Sequence, residues 1–246
     1  MKLIDTHAHI EEIADLDNVI QRAKMNNIIA IIAVGSSIKS NTDILSLASK
    51  YNGFIYPSIG IHPIEAETDV KTAITQIISN IDHCVAIGEI GLDYQYDINK
   101  TKQKEIFENM LQISKKNGKP VSLHSRKAWD DVFSFVQNIG ISKAVFHWYS
   151  GPNEILKKIL DSGYFVSATP AVWYSPKHRN AIEMTPVESI LLETDTPVKY
   201  GGVPSEPSDV TKVLDMVAKI KNISIDKLAD ITTNNACRLF DIKLKS

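Results

Sequence analysis

The strongest constraint on this chain is a recurrence of short apolar runs rich in Ile and Val. They are Leu3–Ile10, Ile28–Val34, Phe54–Ile61, Cys84–Ile90, Pro120–His124, Ala144–His147, Tyr164–Ala168 and Ile190–Thr194, eight in all. They show little polar alternation, as expected of parallel strands buried on both faces. The spacers Leu16–Met25, Asp43–Tyr51, Val70–Ile81, Lys102–Asn117, Trp129–Asn138 and Asn153–Asp161 carry apolar residues at helical spacing. Asn117-Gly118-Lys119-Pro120 reads as a helix stop followed by a strand start. Ser208-Asp209 can cap a helix running towards Ile220, and Asp226–Cys237 reads as another. Pro170–Pro186 is less regular and is expected to form a loop with a short helix.

Eight such units predict an α/β fold of the (β/α)8 TIM-barrel class, a single domain over residues 1–246. A doubly wound open sheet is the alternative, but the chain has no glycine-rich phosphate loop and no linker that would divide it. Gly201–Pro207, with two Gly and two Pro, is expected to be a long loop after the eighth strand.

Composition narrows the setting. Hydrophobic residues make up 43% of the chain, ample for a large core, and the net charge of −2 gives no basic footprint at the level of the whole chain. Cys84 and Cys237 form no CxxC motif and no disulfide framework, which points to a reducing compartment and to buried fillers. No apolar run reaches the roughly 18 residues of a membrane helix, and no signal-peptide core follows Met1. A cytoplasmic protein with no membrane association and no evident stable protein partner is expected.

In a barrel of this kind functional groups gather at the C-terminal ends of the strands. Strand one ends in His7 and His9, which at i and i+2 aim two imidazoles at one point. His62 follows strand three, Glu89 lies at the end of strand four, His124-Ser125-Arg126 ends strand five, His147 ends strand six and Asp195 follows strand eight. Five of the seven histidines thus fall at predicted strand ends, and only His83 and His178 do not. Four of the five, with Glu89 and Asp195, supply nitrogen and oxygen ligands for one or two divalent metals.

The ordered motifs Asp5-Thr6-His7-Ala8-His9, Gly60-Ile61-His62-Pro63, Gly88-Glu89-Ile90-Gly91-Leu92-Asp93-Tyr94, His124-Ser125-Arg126, His147 with Ser150-Gly151, Leu192-Glu193-Thr194-Asp195 and Asn235-Ala236-Cys237-Arg238-Leu239-Phe240 span nearly the whole chain. Taken together they resemble the TatD family of metal-dependent deoxyribonucleases, within the amidohydrolase-like TIM barrels. The resemblance implies that His7, His9, Glu89 and Asp195 hold one metal, with Glu89 bridging to a second held by His124 and His147. It further implies hydrolysis of phosphodiester bonds, typically in DNA. The chain departs from the family where Trp148-Tyr149 replaces a Cys-Phe-like pair, in the Ser167–Trp173 stretch, and in the segment after Pro197, where Lys199 is the only basic residue near.

On this reading Glu89 and Asp195 are the catalytic residues, with Asp195 taking a proton from water. His62 and Arg126 meet substrate phosphate, the latter through its guanidinium fork. Four histidines favour Zn²⁺ or Mn²⁺ over Mg²⁺, which prefers oxygen. Asp5 is expected either to orient a ligand imidazole or to form a salt bridge at the barrel floor, and Glu193 either to support a ligand or to serve the barrel. Trp148, Tyr149 and Trp173 are expected in loops at the mouth, as base-stacking surfaces or as packing. Two alternatives stand beside the nuclease: a metal-dependent hydrolase of a small ester, amide, lactone or aminoacyl-tRNA ester, and a non-enzymatic binding protein on the same barrel.

Overall fold

The eight apolar runs form eight parallel strands in the computed structural model, which describes residues 1–67 and 69–243. Thr68 and residues 244–246 of the expected unit therefore lie outside the described residues. The strands are β1 (Leu3–Ala8), β2 (Ile28–Val34), β3 (Ile55–Ile59), β4 (Ala86–Asp93), β5 (Val121–Arg126), β6 (Ala144–Phe146), β7 (Phe165–Ala168) and β8 (Ile190–Leu192). Each pairs in parallel with the next, in sequence order. A doubly wound sheet would reverse its order at a switch point, and this one does not. All six residues of β1 and all eight of β4 are buried, the two-sided burial that their unbroken apolar character predicts.

Helices α1 (Leu16–Met25), α2 (Ile38–Lys50), α3 (Val70–Asn80), α4 (Lys100–Asn117), α5 (Trp129–Ile139), α6 (Asn153–Asp161), α7 (Pro176–Met184), α8 (Val210–Lys221) and α9 (Ile225–Phe240) fill the connections. The connections depart most from the sequence expectation in three places. α2 begins at Ile38 rather than Asp43, because Ser37 caps it by accepting from the Ser40 N–H and because polar Asn41 turns inward. There the Asn41 carboxamide donates to the Gly60 carbonyl at 2.9 Å and accepts from the Gly60 N–H at 3.1 Å, fixing the end of β3. Asp209 stands at the N-cap of α8 as expected but makes no side-chain cap there; it closes a capping box with Glu206 on the 3-10 turn before the helix. The expected loop after the eighth strand contains a two-residue hairpin, β9 (Lys199–Tyr200) with β10 (Val203–Pro204). Gly201 and Gly202 turn it at φ of 61° and 86°, conformations that suit glycine.

The barrel closes between β1 and the segment after β8. The Asp195 N–H donates to the His7 carbonyl at 2.9 Å and the His9 N–H donates to the Thr196 carbonyl at 2.8 Å. Asp5, fully buried, fixes this seam from the side. Its carboxyl accepts from the Thr194 N–H at 3.0 Å and from the Thr194 hydroxyl at 2.6 Å. Neither expected role for Asp5 holds. Among the described residues the group meets no imidazole ring and no cation, because the strand seam takes up its oxygens; burial pushes its pKa well above the usual aspartate value. The seam sets His7, His9 and Asp195 side by side.

A second close approach positions the other half of the site. Gly91, at φ 150°, pairs with His124 across β4 and β5. A Cβ at Gly91 would lie 1.9 Å from the His124 carbonyl oxygen, so only glycine allows the two strands this near.

Asp5→Ala is expected to destabilise the fold by about 1–3 kcal/mol for each buried Thr194 donor left unpaired. Asp5→Asn, which keeps an acceptor, is expected to cost less. Urea unfolding in the presence of a chelator measures both, and equal stability of Asp5→Ala and wild type would contradict this role for the seam.

Candidate metal and phosphate site

Glu89 is the centre of the polar cluster at the C-terminal ends of the strands. It is 3% exposed. One carboxylate oxygen, Oε2, lies 3.5 Å from both His7 Nε2 and His9 Nε2. The other, Oε1, lies 2.7 Å from His147 Nε2, 2.8 Å from His124 Nδ1 and 3.9 Å from His62 Nε2. Asp195 Oδ1 completes the first group, at 3.7 Å from His7 Nε2 and 3.6 Å from His9 Nε2. All eight residues singled out in the sequence thus meet or flank one cavity of about 630 Å³, whose wall includes His9, His62, Glu89, His124, Arg126, His147 and Asp195. His7 is buried beneath it.

The first group has the dimensions of a metal shell. A tetrahedral ion with bonds of about 2.0–2.2 Å spaces its ligand atoms roughly 3.3–3.6 Å apart, close to the 3.5–3.7 Å found here. His7 Nδ1 is 3.2 Å from the Ser122 hydroxyl, and His7 Nε2 is buried with no hydrogen-bond partner. With Nδ1–H donated to Ser122, the Nε2 lone pair faces the two carboxylates, the arrangement in which a histidine ligates. Around Glu89 Oε1 the contacts are of hydrogen-bond length instead, although the donor set of His124, His147 and carboxylate is equally suited to a cation.

Electrostatics favour positive charge on His9, His124 and His147. Burial opposes ionisation of Glu89, but the surrounding imidazoles, His147 foremost, outweigh it and hold the carboxyl well below its usual range. Burial likewise opposes charge on His9, yet Glu89 and Asp195 lift its pKa to about 9. On His147 burial is outweighed by Glu89 and Glu193, and on His124 by Asp93 and Glu89. Protons on imidazole and a divalent cation answer the same demand, and one displaces the other on binding.

His62 differs from the other rings. Its Nδ1 accepts from the Ile64 N–H at 3.1 Å, so the neutral ring carries its proton on Nε2. Burial lowers its pKa to about 3 and keeps it neutral. His62, Glu89 and His124 bring ligand atoms within 4.8 Å of one another, as do His7, His9 and Asp195, and His7, His147 and Glu193. In this tautomer His62 Nε2 is a hydrogen-bond donor.

Two carboxylates support the cluster from behind. Glu193, 1% exposed, accepts from the Trp148 N–H at 3.1 Å and lies 3.5 Å from His147 Nδ1. Asp93 is the residue that sequence reasoning missed. It is fully buried, and its Oδ2 accepts from both His124 Nε2 and Arg126 Nε at 2.8 Å. Gln103 of α4 grips the Asp93 backbone on both sides, accepting from its N–H at 2.9 Å and donating to its carbonyl at 3.0 Å. The only signal in the sequence was an acid at the end of an apolar strand, beside Glu89. Arg126 is 45% exposed at its side chain and packs over the Tyr96 ring at 4.5 Å.

The aromatic residues sort cleanly. Tyr149 is wholly buried, with its hydroxyl on the Pro152 carbonyl at 2.7 Å, and serves packing. Trp148 lines the cavity; Trp173 does not, and Tyr174 takes its place. The hairpin is absent from the wall, and just beyond it the Arg22 guanidinium of α1 pairs with Glu206 at 2.6 Å.

Comparison with known proteins gives the family and the fold. The family model described as TatD related DNase matches residues 4–241. The human protein named deoxyribonuclease TATDN3 is 30% identical over 97% of this chain and 94% of its own length. YabD of Bacillus subtilis, named as an uncharacterized metal-dependent hydrolase, is 33% identical over 98% of this chain and 99% of its own. Among solved structures, the TatD homologue YJJV of Escherichia coli superimposes with a TM-score of 0.92 at 26% identity, covering 98% of each chain.

Proposed function

We propose that this chain, which belongs to the TatD-related DNase family and is a metal-dependent hydrolase of that type, cleaves phosphodiester bonds in DNA with two divalent cations. The observation that carries the reading is Glu89, whose two oxygens face two separate sets of imidazoles. His7, His9, Glu89 and Asp195 would hold one ion, and Glu89, His124 and His147 the other, with Zn²⁺ or Mn²⁺ preferred by the nitrogen-rich set. Such ions polarise a phosphate and make water a nucleophile at neutral pH.

The chain's own groups supply the rest. Asp195, at the cavity wall, accepts the proton of the attacking water. Arg126 has its Nε committed to Asp93 and presents its terminal nitrogens to phosphate oxygens. His62 donates Nε2–H to the same group. Asp93 holds both His124 and Arg126, so one buried acid sets a ligand and a phosphate contact together. The small-ester alternative drew on the altered 201–207 stretch and on the net charge of −2; the stretch is not part of the cavity wall, which leaves the charge as its support. Two free cysteines and the lack, among the described residues, of any helix long and apolar enough to cross a membrane are in keeping with a cytoplasmic setting.

With labelled single-stranded DNA, turnover is expected to vanish in EDTA and to return with Mn²⁺ or Zn²⁺. Glu89→Ala and Asp195→Ala should each lower kcat by about 10²–10⁴-fold, with circular dichroism unchanged. Near-normal turnover by either folded, metal-loaded variant would refute the assignment.

Asp93→Ala is expected to weaken metal affinity by about 10–100-fold, the usual effect of removing the acceptor behind a ligating histidine, and to raise KM through Arg126. Calorimetric metal titration reads the first effect and steady-state kinetics the second. Unaltered metal affinity would remove Asp93 from this role.

A further inference from the structure

The cavity holds one feature that metal and phosphate chemistry leave unused, an aromatic wall on its β6–β8 side. Trp148 follows β6, Tyr174 precedes α7, and Tyr200 belongs to the hairpin after β8. The Trp148 and Tyr200 rings lie 5.7 Å apart between centroids, and those of Tyr174 and Tyr200 lie 6.4 Å apart, each pair tilted by under 50°. Tyr200 is 9% exposed, and its hydroxyl donates to the Thr194 carbonyl at 3.0 Å. It is thus a fixed prop between two more accessible rings, and both of those line the cavity.

Packing alone does not account for the two outer rings. Tyr174 is 59% exposed beside a buried neighbour, so its ring gains little from burial. Trp148 stands at φ 43°, a left-handed conformation that costs a bulky residue of order 1–3 kcal/mol. Its N–H is held there by the Ser167 hydroxyl and Glu193, both at 3.1 Å. Glycine or asparagine would satisfy the same turn with less strain. The chain places its largest planar side chain there, next to His147 and facing the cavity.

We propose that Trp148 and Tyr174, propped by Tyr200, form a nucleobase subsite that stacks a base flanking the scissile phosphate. The proposal rests on the nucleic-acid reading above and names the part of the substrate that its own chemistry does not reach. Planar bases match planar rings, and such stacking tolerates any base because every base has a π-face. Arg126 and Tyr96 stand on the β4–β5 side of the same cavity. The phosphate is therefore gripped on one side of the metal cluster and the base on the other.

The test compares equilibrium binding of a phosphorothioate-linked pentathymidylate with binding of versions carrying one abasic residue at each position in turn. Metal-loaded wild type should lose about 5–150-fold in affinity at one position, the range that base–aromatic stacking spans. Trp148→Ala should abolish that discrimination and Trp148→Phe should keep part of it. Tyr174→Ala, at an exposed position, should reduce it even if Trp148→Ala folds poorly. Equal binding of parent and abasic strands by wild type, no binding of any strand, or discrimination that survives both alanine variants overturns the subsite. Cleavage of the unmodified strand is scored separately. Discrimination without cleavage would sink the phosphodiesterase reading and leave the subsite standing, whereas cleavage without discrimination would do the reverse.

Discussion

The site is organised around one buried carboxylate that five imidazoles approach. Glu89 touches rings from the ends of β1, β3, β5 and β6, and its charge exists only because they surround it. An isolated carboxylate at this depth would cost many kcal/mol and would neutralise instead. The dependence is mutual, since the imidazoles carry their altered proton affinities because the acid is there. Such a cluster needs a scaffold that brings non-neighbouring strands to one point. A closed barrel does this, as every strand end faces the same axis. The Asp5–Thr194 seam sets that closure locally, and the Gly91–His124 contact sets the close approach of β4 and β5 within the sheet.

Much of this was legible in the sequence for a specific reason. A parallel strand buried on both faces must be apolar, so each polar residue at its end stands out against the run. That contrast marks His7, His9, Glu89, His124, His147 and Asp195. It marks Asp93 too, but its purpose depends on Arg126 and Gln103, which are distant in sequence and reach it only after folding. The Asp5 misreading has the same origin: strand alternation gave its face, while its partner lies 189 positions away. The α2 boundary was hidden because Ser, Asn and Thr in its first turn carry little helical signal, although a serine cap was present. The hairpin after β8 was read as a loop because two residues per strand leave no alternation to detect.

The distribution of backbone strain separates the parts of the barrel. Lys127, Trp148 and Asp195 all have positive φ, and all lie just past the ends of β5, β6 and β8. Each turn directs the chain sharply at the rim, where functional groups must face the cavity rather than continue along the strand. Asp tolerates this conformation through its short polar side chain, whereas Trp and Lys do not. The strain is offset by hydrogen bonds that the same segments make, such as Asp195 N–H to His7 and Trp148 N–H to Glu193.

Glu193 joins these two layers of the design. Its carboxylate lies against His147 on the metal side and fixes the Trp148 N–H on the rim side. An apolar residue placed there would take a neighbour from the imidazole and leave the strained turn with the Ser167 hydroxyl as its remaining anchor. Asp93 plays the same part as Glu193, between His124 and Arg126. In both cases one carboxylate behind the wall couples an imidazole of the cluster to a residue that lines the cavity. The spacing between the two imidazoles and the rim residues is therefore set by two buried acids that the barrel strands hold in place.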